Sequence, residues 1–159
     1  VFALVACLPV EYRFVGKVEL TRIPLFGPAW LSAGHIAIDR ADRQRAIQSL
    51  EAAGEVLHRE RVVVVMFPEG TRTADGDLLP FKKGAFVLAA QTRVPLVPAG
   101  IGGSRAVMPK GSFLIRPGTI RVRIGEPIPT GTVGADARDA LLAQAREAVE
   151  ELRGPLLKP

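Results

Sequence analysis

One cysteine and two histidines are all the soft metal ligands this 159-residue sequence contains, and only 6% of it is aromatic. Cys7 has no second thiol to pair with, and among apolar neighbours with no histidine nearby it reads as a buried structural thiol. Such a set excludes a zinc cluster, and Asp75 with Asp77 are too few carboxylates for a calcium loop. Long apolar runs are missing as well. Val1 to Leu8 falls far short of the roughly 18 residues a bilayer-spanning helix requires, and no basic segment precedes it as in a secretory signal. The patterns GxxxxGK[ST] and GxGxxG do not occur, which leaves a nucleotide phosphate loop without support. Gly102-Gly103-Ser104-Arg105 is not a GxSxG elbow and reads as a glycine turn. The few aromatics are not interleaved with basic residues as a stacking platform requires, so no nucleic-acid partner is expected.

Hydrophobic residues are abundant, at 48%, and charged ones make up 23%. That balance, at this length, fits a single domain (1–159) with a sizeable core. The opening at Val1, directly in an apolar stretch, reads as a cut inside a domain or a processed N-terminus. The net charge is +5, and it is uneven. Residues 1–60 carry seven basic and seven acidic side chains, residues 61–123 ten and three, and residues 124–159 four and six. A basic middle suits an anionic partner such as phosphate or an anionic lipid surface, and equally a solvated basic face.

Periodicity gives the elements. Val1 to Leu8 reads as the end of a buried helix stopped by Pro9, and Tyr12 to Val15 as a strand. Pro24, Gly27 and Pro28 break any long helix over 17–33. Ile36 and Ile38 alternate as a strand. Residues 42–58 place Ala46, Ile47, Leu50, Ala53 and Leu57 on one helical face, with Asp42 as the cap. The β-branched run within Arg61 to Phe67 reads as a strand buried on both sides. A loop with a turn at Asp75-Gly76 follows, then a short apolar helix over 84–91. Pro95 to Ala99 and Ile120 to Ile124 read as strands. A final helix over 136–153 carries Leu141, Ala145, Val149 and Leu152 in one stripe. Strands alternating with helices predict an α/β fold with a mixed, largely parallel sheet flanked by helices.

The sharpest local feature is Phe67-Pro68-Glu69-Gly70-Thr71-Arg72. A strand runs into a loop carrying a carboxylate, a glycine, a hydroxyl and a guanidinium, at the sheet edge where α/β proteins bind ligands. Gly70 permits close backbone approach, Thr71 can donate or accept, and Arg72 offers a fork suited to phosphate oxygens. The alternative is a tight turn in which Glu69 and Arg72 pair with each other.

These six residues resemble the FPEGTR signature of the 1-acylglycerol-3-phosphate acyltransferases. Upstream, Lys17-Val18-Glu19-Leu20, Ile23-Pro24-Leu25-Phe26-Gly27 and Gly34-His35-Ile36-Ala37-Ile38-Asp39-Arg40 are similar to the family's second block. Downstream, Pro80-Phe81-Lys82-Lys83-Gly84, Val94-Pro95-Leu96-Val97-Pro98 and Gly125-Glu126-Pro127-Ile128 resemble later blocks in the same order. One block has no counterpart: NHxSxxD, a histidine and an aspartate with four residues between. Three residues separate His35 from Asp39. In a strand the two would also stand about 13 Å apart, too far for a base and its orienting carboxylate. His58 falls at the exposed end of a helix.

The resemblance implies a glycerolipid acyltransferase-like fold that is N-terminally truncated, with no catalytic histidine in this chain. It implies transfer of a fatty acyl group to a lysophospholipid, without metal or bound cofactor, using acyl-CoA or acyl carrier protein as co-substrate. Lys17, Arg40 and Arg72 are the expected phosphate ligands, with Glu69, Gly70 and Thr71 shaping the site. A membrane-associated protein at the cytoplasmic face is implied, with Leu25, Phe26, Trp30 and Leu31 as an interfacial patch or, alternatively, a buried loop. Another lysophospholipid acceptor, or a non-catalytic anionic-lipid or phosphate-binding module, fits the same motifs.

Overall fold

Tyr12–Lys17, with Phe14 and Val15 both buried, forms strand β1 of the computed structural model, which describes residues 4, 6, 8–39, 42–112, 114–131 and 135–156. Contacts divide the chain into two units, Pro9–Phe67 and the segments before and after it.

In the unit Pro9–Phe67, β1 lies between β2 (Ile36–Ile38) and β3 (Val63–Val65), with both pairings parallel. Val15 stands opposite Ile36, and Tyr12 opposite Val63. A 3-10 turn, Val18–Arg22, and the short helix α1, Phe26–Ser32, connect β1 to β2. Buried Gly27 lets this connection fold tightly, because a Cβ there would stand 2.0 Å from the Thr21 carbonyl oxygen. Helix α2, Arg43–Glu60, is capped as its sequence predicts: the Asp42 carboxylate accepts from the Gln44 and Arg45 amides at 2.8 and 3.1 Å. Leu50 and Ala53 are buried from its apolar face, whereas Ile47 is exposed. Phe14, Val15, Ile38 and Val62 complete this core.

The valine run departs from expectation. Only Val63–Val65 is a strand, and Val63 and Phe67 are exposed. Exposed Val63 means that the strand is not buried on both sides, and among the described residues β3 pairs with β1 alone, as an edge strand.

In the other unit, helix α3 (Gly84–Thr92) packs on the long helix α5 (Ala135–Arg153). Phe86, Ile128, Leu141 and Ala145 form the core between them, joined by Phe81, Leu96 and Leu142. Strands β4 (Ala99–Gly102) and β5 (Arg121–Ile124) are antiparallel, and α5 lies against β4. The strand expected over Pro95 to Ala99 begins only at Ala99, since Pro95 and Pro98 have no N–H for a ladder. Leu96 alone makes an isolated bridge to Ile128. Gly103, at φ +81°, makes the glycine turn and opens a one-turn helix, α4 (Ser104–Val107). The fold is mixed α/β, as expected. Most of the helix expected at Val1 to Leu8 lies outside the described residues, and so does Cys7.

Candidate functional site

Leaving β3, Phe67 stacks against Phe14 with ring centroids 6.5 Å apart. Pro68 then starts the loop. Its carbonyl accepts the Lys82 amide at 2.8 Å, which closes the loop at its far end. Gly70 adopts φ +71°, a left-handed conformation that a β-carbon disfavours. Half-buried Glu69 does not pair with Arg72. Its Oε2 accepts the Leu79 amide at 2.8 Å, ten residues further on. Thr71 and Arg72 are exposed, and the Arg72 guanidinium has no hydrogen bond or ion pair among the described residues. The alternative of a Glu69–Arg72 turn pair is therefore not what the loop adopts. The structure groups Glu69, Gly70, Thr71 and Arg72 on one loop, with the carboxylate fixed internally and the cation presented outward.

The rest of this loop is held by side chains, most of them bonded to its main chain. The Thr73 hydroxyl donates to the Asp75 carboxylate, which also accepts the Asp77 amide at 3.2 Å. That hydroxyl is the leading reason the Asp75 carboxyl titrates below the ordinary carboxylate range. Three guanidiniums bind four carbonyls of the segment 75–79: Arg105 that of Asp75, Arg153 that of Gly76, and Arg146 those of Leu78 and Leu79. Arg105 sits on α4, while Arg146 and Arg153 sit on α5. A hollow of about 260 Å³ is lined by Asp77, Leu78, Arg146, Glu150, Arg153 and Gly154. Sequence reading did not single out these arginines, because their partners are carbonyls, which every residue type supplies.

In the basic turn both lysines are exposed, and Lys83 pairs with Asp139 at 3.0 Å and lowers the pKa of that carboxyl.

Lys17 ends β1 in the other unit, with its side chain exposed and without a partner among the described residues. Arg40 lies outside the described residues. His35 is structural. Its Nδ1 accepts the Phe14 amide at 3.3 Å, and its ring lies 4.4 Å from that of Trp30. Burial, helped by the Arg13 charge, lowers its pKa below the ordinary 6.5. His58 is exposed near the end of α2.

The hydrophobic residues before β2 settle the choice between surface patch and buried loop. Leu25 is 89% exposed, and Phe26 and Leu31 are also exposed, while Trp30 is half-buried. Leu25 holds φ +65° and ψ −47°, a positive φ that is unfavourable for leucine. Among the described residues no group of His, Cys, Asp and Glu could hold a metal ion, and no helix is long and apolar enough to cross a membrane.

Residues 1–102 match the family model described as Acyltransferase. A 1-acyl-sn-glycerol-3-phosphate acyltransferase of Limnanthes alba is 41% identical over 131 residues, which is 82% of this chain and 47% of that protein. The human 1-acyl-sn-glycerol-3-phosphate acyltransferase beta is 34% identical over 146 residues, covering 92% of this chain and 52% of its own. The chain thus spans about half the length of these curated relatives. Among solved structures, the 1-acyl-sn-glycerophosphate acyltransferase PlsC of Thermotoga maritima superposes with a TM-score of 0.67. It is 31% identical and covers 88% of this chain and 56% of its own.

Proposed function

This chain belongs to the acyltransferase family, and we propose that the intact protein carrying it acylates 1-acylglycerol-3-phosphate to phosphatidic acid. The acyl donor in this reading is a thioester, on coenzyme A or acyl carrier protein. The acceptor hydroxyl attacks the thioester carbonyl carbon. A C–O bond forms, the C–S bond breaks, and the hydroxyl proton passes to a general base. Neither histidine of this chain serves: His35 is bound to the Phe14 amide through Nδ1, and neither it nor His58 has an aspartate at the required spacing. The acceptor phosphate is the part assigned to this chain. Metal and bound organic cofactors play no part in this reading.

The observation that carries the reading is the signature loop itself. A glutamate fixed to a backbone amide stands three residues from an exposed arginine whose fork has no partner among the described residues. Such a guanidinium beside an ordered loop suits a phosphate dianion, which accepts two parallel bonds. Lys17 is a second candidate cation, with Arg40 proposed from its block alone.

Steady-state kinetics of the intact protein test the assignment by varying each substrate in turn. Arg72→Ala is expected to lower efficiency toward lysophosphatidic acid by about ten- to a hundredfold, the equivalent of about 1.5–3 kcal/mol for a charge-assisted bond. Arg72→Lys keeps the charge without the fork and should fall between. Donor saturation should change little. Unchanged efficiency in Arg72→Ala would remove the phosphate assignment.

The same reading places the protein on a membrane, at the cytoplasmic face. From Ile23 to Ile38 no residue is charged. Within that stretch Leu25, Phe26 and Leu31 face solvent. Between Asp77 and Glu126 there is no acidic residue and there are eight basic ones. Exposed apolar side chains in one unit and an acid-free basic stretch in the other each suit an anionic lipid interface.

A further inference from the structure

We infer that Arg146 is a positioning residue for Glu69, acting through the single peptide group that joins Leu78 to Leu79. The inference rests on the function proposed above and extends it from the signature loop to α5, 77 residues beyond Glu69.

The peptide is bound at both ends. Its carbonyl, on Leu78, accepts from Arg146 Nη2 at 3.3 Å. Its N–H, on Leu79, donates to Glu69 Oε2 at 2.8 Å. A cation at the oxygen and an anion at the hydrogen polarise the amide in the same sense, so each bond strengthens the other. The second arm of the fork, Nη1, donates to the Leu79 carbonyl at 2.8 Å. Two bonds from one planar guanidinium to consecutive carbonyls fix the orientation of the intervening residue and of the N–H that Glu69 receives.

Arg146 is itself anchored. One turn along α5, Glu150 Oε1 accepts from Nη2 at 3.2 Å. The guanidinium carbon stands 5.5 Å from the Phe81 ring centroid, and Phe81 stacks on Phe86, the most deeply buried large side chain. Orientation is thereby handed from the core to a guanidinium, then to a peptide plane, then to the Glu69 carboxylate. The chain of contacts gives a charged residue far along the sequence a say in the geometry of the signature.

The test uses the intact protein and the variants Arg146→Gln, Arg146→Lys, Glu69→Gln and the double variant with both glutamines. Arg146→Gln is expected to lower kcat/KM for lysophosphatidic acid by about tenfold, with the donor KM unchanged within about twofold. Arg146→Lys should recover part of the loss, because it keeps the charge but not the fork. The double variant should be no worse than Glu69→Gln alone, since both substitutions break one relay. Losses that multiply independently, or a lowered melting point with acceptor efficiency intact, would overturn the proposal. A second readout needs no turnover. With labelled leucine and glutamate, Arg146→Gln should move both the Leu79 amide proton and the Glu69 carboxyl carbon in NMR spectra. Unmoved resonances in a folded variant overturn the relay. A wild-type protein that makes no phosphatidic acid, yet shows the shifts, overturns the proposed function and leaves the relay standing.

Discussion

At the scale of single residues, His35 is the group whose chemistry is best determined by its surroundings. Accepting the Phe14 amide through Nδ1 requires a lone pair there, so the neutral ring carries its proton on Nε2. Burial first, and the Arg13 guanidinium second, oppose protonation. In the unfolded chain the imidazole takes up a proton near its ordinary 6.5, while the folded protein resists until a lower pH. The unfolded state therefore binds more protons across that window. Stability is expected to fall as pH drops from about 6.5, and to level off once the folded-state pKa has been passed. Urea midpoints at pH 7.5 and 5.5 measure the slope, and His35→Gln should flatten it. An equal slope in the variant would mean that other groups carry the pH dependence. The lowered carboxyls Glu60, Asp75 and Asp139 contribute stability that is lost only at lower pH, as it falls from the ordinary carboxylate range through their lowered folded-state values.

At the scale of elements, what could be read from the sequence depended on whether a signal was local. Asp42 and the stripe of α2 were legible because cap and periodicity lie within a few residues of each other. Asp42→Ala removes an acceptor shared by two amides and should cost about 1 kcal/mol, read as a lower urea midpoint with an unchanged slope. The valine run was legible as a strand, but its enclosure was not, because hydrophobicity does not report how many neighbours a strand finds. Proline explains the late start of β4. Helix α4 is one turn long and too short to show a period. In the signature, composition drew attention to Glu69 and Arg72 as neighbours. The actual partner of Glu69 is a backbone amide ten residues on, and that amide is fixed by an arginine on α5. Backbone donors and acceptors carry no residue identity, so neither contact leaves a mark in the sequence.

At the scale of the whole molecule, a pI of about 10.0 and the acid-free stretch between Asp77 and Glu126 set the behaviour toward charged surfaces. The chain is expected to co-sediment with vesicles rich in anionic lipid and not with neutral ones, and added salt should weaken the binding. Leu25→Asp should reduce that binding further, by adding a charge to an exposed apolar patch, without altering the melting point. Equal binding to neutral vesicles would count against the electrostatic part of this account. The three-arginine hold on residues 75–79 reaches across the second unit in the same long-range way, and it bears on which changes the protein can accumulate. Because the guanidiniums grip carbonyls, side chains such as that of exposed Asp77 are open to replacement. The number of residues is not: removing one would displace the following carbonyls by about 3.3 Å and release the grip. Apart from Asp75, whose carboxylate is bonded within the loop, and Gly76, held at φ +103°, this stretch is therefore strict about length and lenient about spelling.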